Sequence, residues 1–152
     1  DQAHFDERGR LFVHGRFKDT LVLMGDWKIM PAELEEVVNR HPLVEASAVV
    51  GLPDPDTPGC HKPRAFVKLR QWREACRQSA QTPSPPAAPL DAELLDRWRA
   101  GDIAYVAEHI YQFAADRTAP AKHLTGGVRI IKEFPRVGLL KKIDRKALRQ
   151  MD

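Results

Sequence analysis

A short polar segment near the start of the chain combines residue types that could bind a phosphate or a ribose. It runs from Gly15 to Asp19 and contains a glycine, two cations, Arg16 and Lys18, and a carboxylate. Arginine and lysine donate charge-assisted hydrogen bonds to phosphate oxygens, and glycine adopts backbone conformations that other residues avoid. This composition indicates a joint that can both bind an anion and bend.

A second concentration of charge lies at the end of the chain, in the segment KKIDRKALR. Lys141 and Lys142 begin this segment, and Asp144 is suited to cap a short helix that runs through Arg149. The segment predicts either a solvated helix face or a module that binds nucleic acid or an acidic partner. Because the net charge is only +3, with basic and acidic residues interspersed, we expect no nucleic-acid partner.

The apolar pattern beside the first joint predicts the elements that hold it. Residues 11–13 and 21–24 are short apolar runs, and their simplest interpretation is a hairpin. Pro31 then opens a helix that extends to about His41, followed by Pro42. Its glutamates Glu33, Glu35 and Glu36 suit the positive end of the helix dipole. Trp27, just before this helix, is either a stacking aromatic or a core residue.

The rest of the chain mixes strands and helices without strict alternation. Residues 44–53 and 64–70 are predicted as antiparallel strands, and residues 128–134 as a third strand. Asp91 and Asp102 are suited to cap two helices, the second ending near Pro120. Its apolar stripe of Val106, Ile110 and Phe113 is predicted to lie in the core. The predicted class is α+β, with a small, mainly antiparallel sheet flanked by helices and preceded by a short hairpin.

Length and composition restrict the class of protein further. A chain of 152 residues with 43% hydrophobic residues can form one domain with its own core. No apolar run is long enough for a membrane span, and Cys60 and Cys76 are expected to be free thiols, so we expect a cytoplasmic protein. The six histidines lack zinc-ligand spacing, and we expect no metal site. The chain begins at Asp1, which suggests a piece of a longer protein.

Four sequence segments form a pattern that covers nearly the whole chain except residues 71–100. They are Asp1 with DERGRLFVHGR, GRFKD with GDWKIMPAELEEVV, VVGLPDPDTPGCHKPRAFVKL, and EFPRVGLLKKIDRKALR. In this order and at these distances they resemble the small C-terminal domain of the adenylate-forming superfamily, which includes acyl-CoA synthetases, peptide-synthetase adenylation domains and luciferases. The resemblance implies that residues 1–17 end a large N-terminal domain, that residues 18–152 form a lid domain, and that residues 71–100 are a surface insert.

The resemblance also implies a two-step reaction. A carboxylate attacks the α-phosphorus of ATP and pyrophosphate leaves, and a thiol then displaces AMP. A lysine of the small domain stabilises charge only in the first step. Counting from Pro135 selects Lys141 for this role, whereas aligning KIDRKALR without a gap selects Lys142, which we favour because loops absorb insertions readily. Val137 replaces the family's usual threonine, and Leu140 or Lys141 replaces the glycine before the lysine.

The remaining implied roles concern movement and binding. Lys18 falls at the family's hinge, and rotation about it would withdraw the catalytic lysine and bring residues 21–31 over the site. The implied thiol-side residues are Gly25, Asp26 and Trp27, and the implied nucleotide-binding residues are Asp1 and Arg16. We therefore expect a ligase that uses ATP and Mg²⁺, held mainly by the large domain, and coenzyme A. Its substrate is expected to be a small-molecule carboxylic acid, as in fatty acid metabolism. The alternatives are a carrier-protein thiol as acceptor, or a non-catalytic interaction module.

Overall fold

Two short hairpins open the chain in a computed structural model, which describes residues 2–71 and 92–151. The first consists of β1 (Gln2–Phe5) and β2 (Leu11–Gly15), and the second of β3 (Leu21–Leu23) and β4 (Trp27–Ile29), each antiparallel. The hairpin predicted from residues 11–13 and 21–24 is wrong, because these two runs pair with different partners. Tight turns lie within residues 6–9 and 24–26, and a 3-10 turn, Phe17–Asp19, joins the two hairpins.

The central sheet has the strand order β5-β6-β7. Its strands are β5 (Val44–Pro53), β6 (His61–Leu69) and β7 (Val128–Ile130). The predicted antiparallel pairing of β5 with β6 is confirmed, and β7 joins β6 in parallel. This parallel pairing requires the helical connection that precedes β7, whereas β5 and β6 are joined by a loop.

Helices pack on one face of this sheet. They are α1 (Pro31–Asn39), α2 (Ala92–Arg99) and α3 (Ile103–Ala115). Asp102 caps α3 as predicted, by accepting a hydrogen bond from the Tyr105 N–H, whereas Asp91 lies outside the described residues. Helix α3 ends five residues before Pro120, where a separate 3-10 turn begins, because Asp116 already terminates its hydrogen bonding. The predicted stripe of Val106, Ile110 and Phe113 is buried.

The end of the chain covers the other face of the sheet. Residues 135–142, predicted as a loop, form a small hairpin of β8 (Arg136–Val137) and β9 (Lys142–Ile143), and α4 (Arg145–Arg149) follows it. Asp144 caps α4 as predicted, by accepting from the Lys146 and Ala147 N–H groups. Leu148 of α4 is fully buried against Phe66 and Phe134, so this helix is held to the sheet by apolar contacts.

Two further properties concern the described residues as a whole. The longest helix among them, α3, has 13 residues, fewer than the roughly 20 that a bilayer span requires, and none qualifies as a candidate span. Cys60 is a free, half-buried thiol, and Cys76 lies outside the described residues.

Candidate functional site

The hairpin of β8 and β9 presents the two lysines singled out by the sequence. Its turn runs from Gly138 to Lys141, and the Lys141 N–H donates to the Gly138 carbonyl at 3.1 Å. Arg136 supports the turn by donating from Nη1 to the Lys141 carbonyl at 2.9 Å. Lys142 then enters β9 opposite Val137. The hairpin therefore closes on itself through contacts near its tip.

The tip of this hairpin is exposed, including its apolar residues. Leu139 is fully exposed, Leu140 is 79% exposed and Val137 is 57% exposed, and both lysines are exposed as well. Within residues 2–71 and 92–151, neither lysine takes part in an ion pair. An unpaired ammonium group beside exposed apolar side chains can interact with an anion on a second, partly apolar surface.

The two lysines differ in backbone conformation. Lys141 has a φ of +48°, in the left-handed region, and Gly138 at the other end of the turn has a φ of +76°. Glycine adopts such angles freely, whereas a residue with a Cβ does so at a cost. Lys142 lies in the short strand that follows. Lys141 thus occupies a position whose backbone suits glycine, and Lys142 is the first lysine after that position.

The hairpin of β3 and β4 carries the predicted thiol-side residues. Its turn contains two consecutive left-handed residues, Gly25 with a φ of +82° and Asp26 with a φ of +59°. A Cβ added at Gly25 would lie 3.4 Å from Cδ1 of Trp27, so the indole ring flanks the turn. Trp27 is 55% exposed, which excludes the alternative that it is a core residue. The turn is therefore an exposed, tightly bent segment with an aromatic side chain beside it.

Strands β3 and β4 are anchored in the core although their turn is exposed. Leu21, Leu23 and Ile29 are buried in the same cluster as helices α1 and α3. The Val22 N–H donates to Nδ1 of His61 at 3.1 Å, which connects β3 to the start of β6. The exposed turn is thus supported by a buried base.

The predicted hinge lies between the two opening hairpins. Lys18 is exposed in the 3-10 turn, which one backbone hydrogen bond closes, from the Asp19 N–H to the Arg16 carbonyl at 2.9 Å. Arg16 is also exposed, and Asp1 lies outside the described residues. The predicted joint therefore begins at the last residue of β2, Gly15, and continues as a short turn outside the sheet.

The structure does not bring the three predicted groups together. In the part of the chain that the structure describes, no hydrogen bond or ion pair connects Lys141 or Lys142 with Lys18 or with the turn at Gly25. The described residues also contain no group of three His, Cys, Asp or Glu side chains that could hold a metal ion. A reaction that uses all three groups would require a further surface on which each could act.

One cluster was missed by the sequence interpretation. Glu35 was assigned to the helix dipole, yet its side chain is only 15% exposed and contacts Arg145 of α4, with Oε1 and Nη1 separated by 2.6 Å. The two residues are 110 positions apart, and neither periodicity nor capping rules relate positions so distant. In the sequence, the two residues stand out only because each lies in a segment that resembles the family: Glu35 in GDWKIMPAELEEVV and Arg145 in EFPRVGLLKKIDRKALR.

Comparisons with known proteins define the class. Residues 33–141 match the family model described as the AMP-binding enzyme C-terminal domain, and the chain belongs to this family. It is 29% identical over 154 residues to luciferin 4-monooxygenase of Nipponoluciola cruciata, which covers 99% of the chain and 21% of the relative. It is 30% identical over 132 residues to the acyl-CoA ligase ppsA of Aspergillus oryzae, which covers 87% of the chain and 18% of that ligase.

A solved structure gives the same result. The ATP-bound RpMatB-BxBclM chimera B1 matches with a TM-score of 0.68 and 25% identity, over 97% of this chain and 23% of the chimera. The chain therefore spans about a fifth of the length of the curated relatives that it matches over nearly all its residues. These findings confirm the predicted family and fold class: the chain is a C-terminal domain of the kind found in adenylate-forming enzymes.

Proposed function

We propose that this domain belongs to an ATP-dependent acyl-CoA synthetase and supplies Lys142 as its adenylation lysine. The observation that carries the proposal is the backbone of the β8–β9 turn. Lys141, at φ +48°, takes the place of the glycine that precedes the lysine in the family pattern, and Lys142 follows it in an exposed strand. Lys142 is then the counterpart of the lysine itself, as the alignment of KIDRKALR favours.

Lys142 acts on the first half-reaction. A carboxylate oxygen of the acid substrate attacks the α-phosphorus of ATP. A bond forms between this oxygen and the phosphorus, and the bond to pyrophosphate breaks as pyrophosphate leaves. Negative charge accumulates between the two reacting groups, and an ammonium placed there stabilises the transition state more than the ground state. In the second half-reaction a thiolate attacks the acyl carbon and AMP leaves, which requires no cation at the phosphate.

The opening hairpin supports the proposed division of the chain at residue 17. Phe5, Leu11 and Val13 are 70%, 55% and 62% exposed, although an isolated two-stranded hairpin with one uncovered apolar face is marginally stable in water. We assign residues 1–17 to the large N-terminal domain, which would cover this face, and residues 18–152 to the lid, with residues 71–100 as an insert. The turn at Lys18 is the pivot between them.

Rotation at the pivot would allow the two exposed groups, the β8–β9 hairpin and the turn at Gly25, to act in different half-reactions. With the β8–β9 hairpin turned toward the large domain, Lys142 reaches the nucleotide, whose ribose and phosphates Asp1 and Arg16 would bind. Rotation at Lys18 replaces the β8–β9 hairpin with the turn at Gly25, Asp26 and Trp27. A pantetheine arm can pass beside this turn because Gly25 has no side chain. Mg²⁺ would enter with ATP, bound by the large domain, and the whole enzyme is assigned to the cytoplasm.

The alternative of a basic interaction module is less well supported. Arg145, which contributes to the basic end of the sequence, pairs with Glu35 of the same chain, so its charge is already partly compensated. Binding of DNA or RNA with a steep dependence on salt concentration would favour this alternative.

The full-length enzyme that carries this domain provides the test. We expect pyrophosphate–ATP exchange that depends on a carboxylic acid, measured with straight-chain acids from acetate to palmitate and with benzoate. Thioester formation is then compared with coenzyme A and with a phosphopantetheinylated carrier protein as acceptor. Absence of pyrophosphate exchange with every acid would contradict the proposed reaction. A preference for the carrier protein would indicate a ligase that loads a carrier-protein thiol instead of coenzyme A.

A Trp27→Ala variant tests the thiol side separately. Because Trp27 is 55% exposed, we expect the melting temperature to change little, while the rate of thioester formation from added acyl-adenylate falls by about three- to tenfold, the loss of one aromatic contact to the thiol substrate. Met24→Ala, at 74% exposure in the same turn, is the matched control for loss of exposed apolar surface. Equal losses of exchange and thioester formation in Trp27→Ala would rule out a role limited to the second step.

A further inference from the structure

A shielded network joins the last helix to the first helix and to the sheet. Nη1 of Arg145 donates to Oε1 of Glu35 at 2.6 Å and to the Val49 carbonyl at 2.7 Å. The Val49 N–H donates to the same Oε1 of Glu35 at 2.8 Å. Helix α4, helix α1 and strand β5 therefore meet at one point, where these three hydrogen bonds join them.

Burial distinguishes this pair from a surface ion pair on the same helix. The side chains of Arg145 and Glu35 are 29% and 15% exposed, whereas those of Arg40 and Glu36 are 63% and 69% exposed. Exposed pairs contribute little because water and salt screen them, while breaking a shielded pair leaves a charge without compensation. The Glu35–Arg145 pair is therefore costly to break.

The network also satisfies the free edge of the sheet at one residue, Val49. Strand β5 is an edge strand, since the order is β5-β6-β7. Glu35 accepts from the Val49 N–H and Arg145 donates to the Val49 carbonyl, as a neighbouring strand would. Arg145 is thus fixed to the central sheet.

Arg145 lies at the base of the hairpin that carries Lys142. Arg145 comes three positions after Lys142, a span of at most about 11 Å. The hairpin stem contains only two paired positions, Arg136 with Ile143 and Val137 with Lys142. A stem this short does not fix its own direction. Its base is held by the Asp144 N–H, which donates to the Pro135 carbonyl at 2.8 Å, and by Arg145 directly after it.

We infer that Glu35 and Arg145 are positioning residues that hold the β8–β9 hairpin in the direction in which Lys142 stabilises adenylation. The inference rests on the proposed function of Lys142. Glu35 does not touch substrate and acts through Arg145. Loss of the pair leaves the lysine present but misdirected, and a displacement of about 1 Å in a catalytic group costs up to about 100-fold in rate.

Hydrogen exchange of backbone amides in the 152-residue chain tests the structural part without reference to activity. In Glu35→Ala we expect the amides of Lys141 and Asp144, which bond to Gly138 and Pro135, to exchange at least tenfold faster, with β6 unchanged. Glu36→Ala, an adjacent glutamate in an exposed pair, is the matched control and leaves both amides at wild-type rates. Unchanged exchange at the hairpin in Glu35→Ala, or equal acceleration in β6, overturns the inference.

Kinetics of the full-length enzyme test the functional part. We expect Glu35→Ala to lower pyrophosphate exchange by about 10- to 100-fold and to leave thioester formation from added acyl-adenylate unchanged. Glu35→Gln keeps an oxygen acceptor for Val49 and Arg145, so it should retain pyrophosphate exchange at least in part. It serves as the informative variant if Glu35→Ala does not fold. An equal loss of both half-reactions indicates a general structural role and overturns the inference.

Lys142→Ala, measured in the same experiment, separates the two proposals. If Lys142→Ala lowers exchange and Glu35→Ala does not, the positioning role is wrong while the proposed function stands. If Lys142→Ala leaves exchange unchanged, the proposed function itself fails.

Discussion

Replacing Lys142 with alanine in the full-length enzyme is expected to lower acid-dependent pyrophosphate exchange by about 10²- to 10³-fold. The reason is the loss of one positive group aimed at charge that develops in the transition state, and single groups of this kind contribute factors of this size. Thioester formation from added acyl-adenylate should proceed at the wild-type rate, since no phosphate bond is broken in that step. Both rates are measured on the same enzyme preparation.

Lys141 supplies the matched control, because it is adjacent, equally charged and also exposed. Lys141→Ala should lower exchange by less than tenfold. If Lys141→Ala abolishes exchange and Lys142→Ala does not, the assignment between the two lysines is reversed. If neither has an effect, the catalytic role of this hairpin is wrong.

The backbone at Lys141 adds an independent check of the same assignment. A left-handed residue with a Cβ costs about 1–2 kcal/mol, and glycine removes this cost but loses about 0.5–1 kcal/mol through its freedom in the unfolded chain. Lys141→Gly should therefore alter the free energy of unfolding by no more than about 1.5 kcal/mol. The variant should retain exchange activity, which a catalytic lysine at position 141 would not permit.

Sequence patterns were sufficient where the controlling interactions are local. Pro31 and Asp102 mark helix starts because proline and a capping carboxylate act within one turn, and the stripe of Val106, Ile110 and Phe113 marks a buried face by its spacing. Strands β8 and β9 have only two residues each, too few to show a period, so their hairpin was predicted as a loop.

The residues of the candidate site also differ in how well the sequence alone predicts them. Lys141, Lys142 and the turn at Gly25 were found from short segments and are exposed as such roles require. The exposure of Trp27 depends on which side of a hairpin faces the core, and three-residue strands leave that open. The Glu35–Arg145 pair depends on the packing of α4 against β5 and α1, so only the fold reveals it.

A buried histidine determines how this domain responds to acid. His41 is 1% exposed, and its Nδ1 accepts from the Leu43 N–H at 3.2 Å, so the neutral ring carries its proton on Nε2. Nε2 lies 3.0 Å from Nδ1 of His109, and the ring packs edge-on against Phe113. Burial lowers the pKa of His41 to about 3, and electrostatic interactions with His109 and Arg117 lower it further.

The stability of the 152-residue chain is therefore expected to fall as the pH drops below about 6.5. In the unfolded chain His41 binds a proton near pH 6.5, whereas in the folded chain it binds one only near pH 3. Between these values stability decreases by about 1.4 kcal/mol per pH unit, or about 2 kcal/mol from pH 7 to pH 5. For a chain of this size this lowers the melting temperature by about 4–8 °C, measured by circular dichroism.

Other shifted groups act outside this window. Hydrogen bonds to their carboxylates lower the pKa values of Asp6 and Asp54 below 3.8, so their contribution is lost at more acidic pH. The carboxylate partners of Lys62 and Lys68 raise their pKa values above 10.5, so their contribution is lost only in alkali. His41→Asn, whose side-chain oxygen can still accept from the Leu43 N–H, should remove most of the slope between pH 7 and pH 5. His4→Gln, at an exposed histidine, should keep it, and a wild-type slope in His41→Asn would show that another group is responsible.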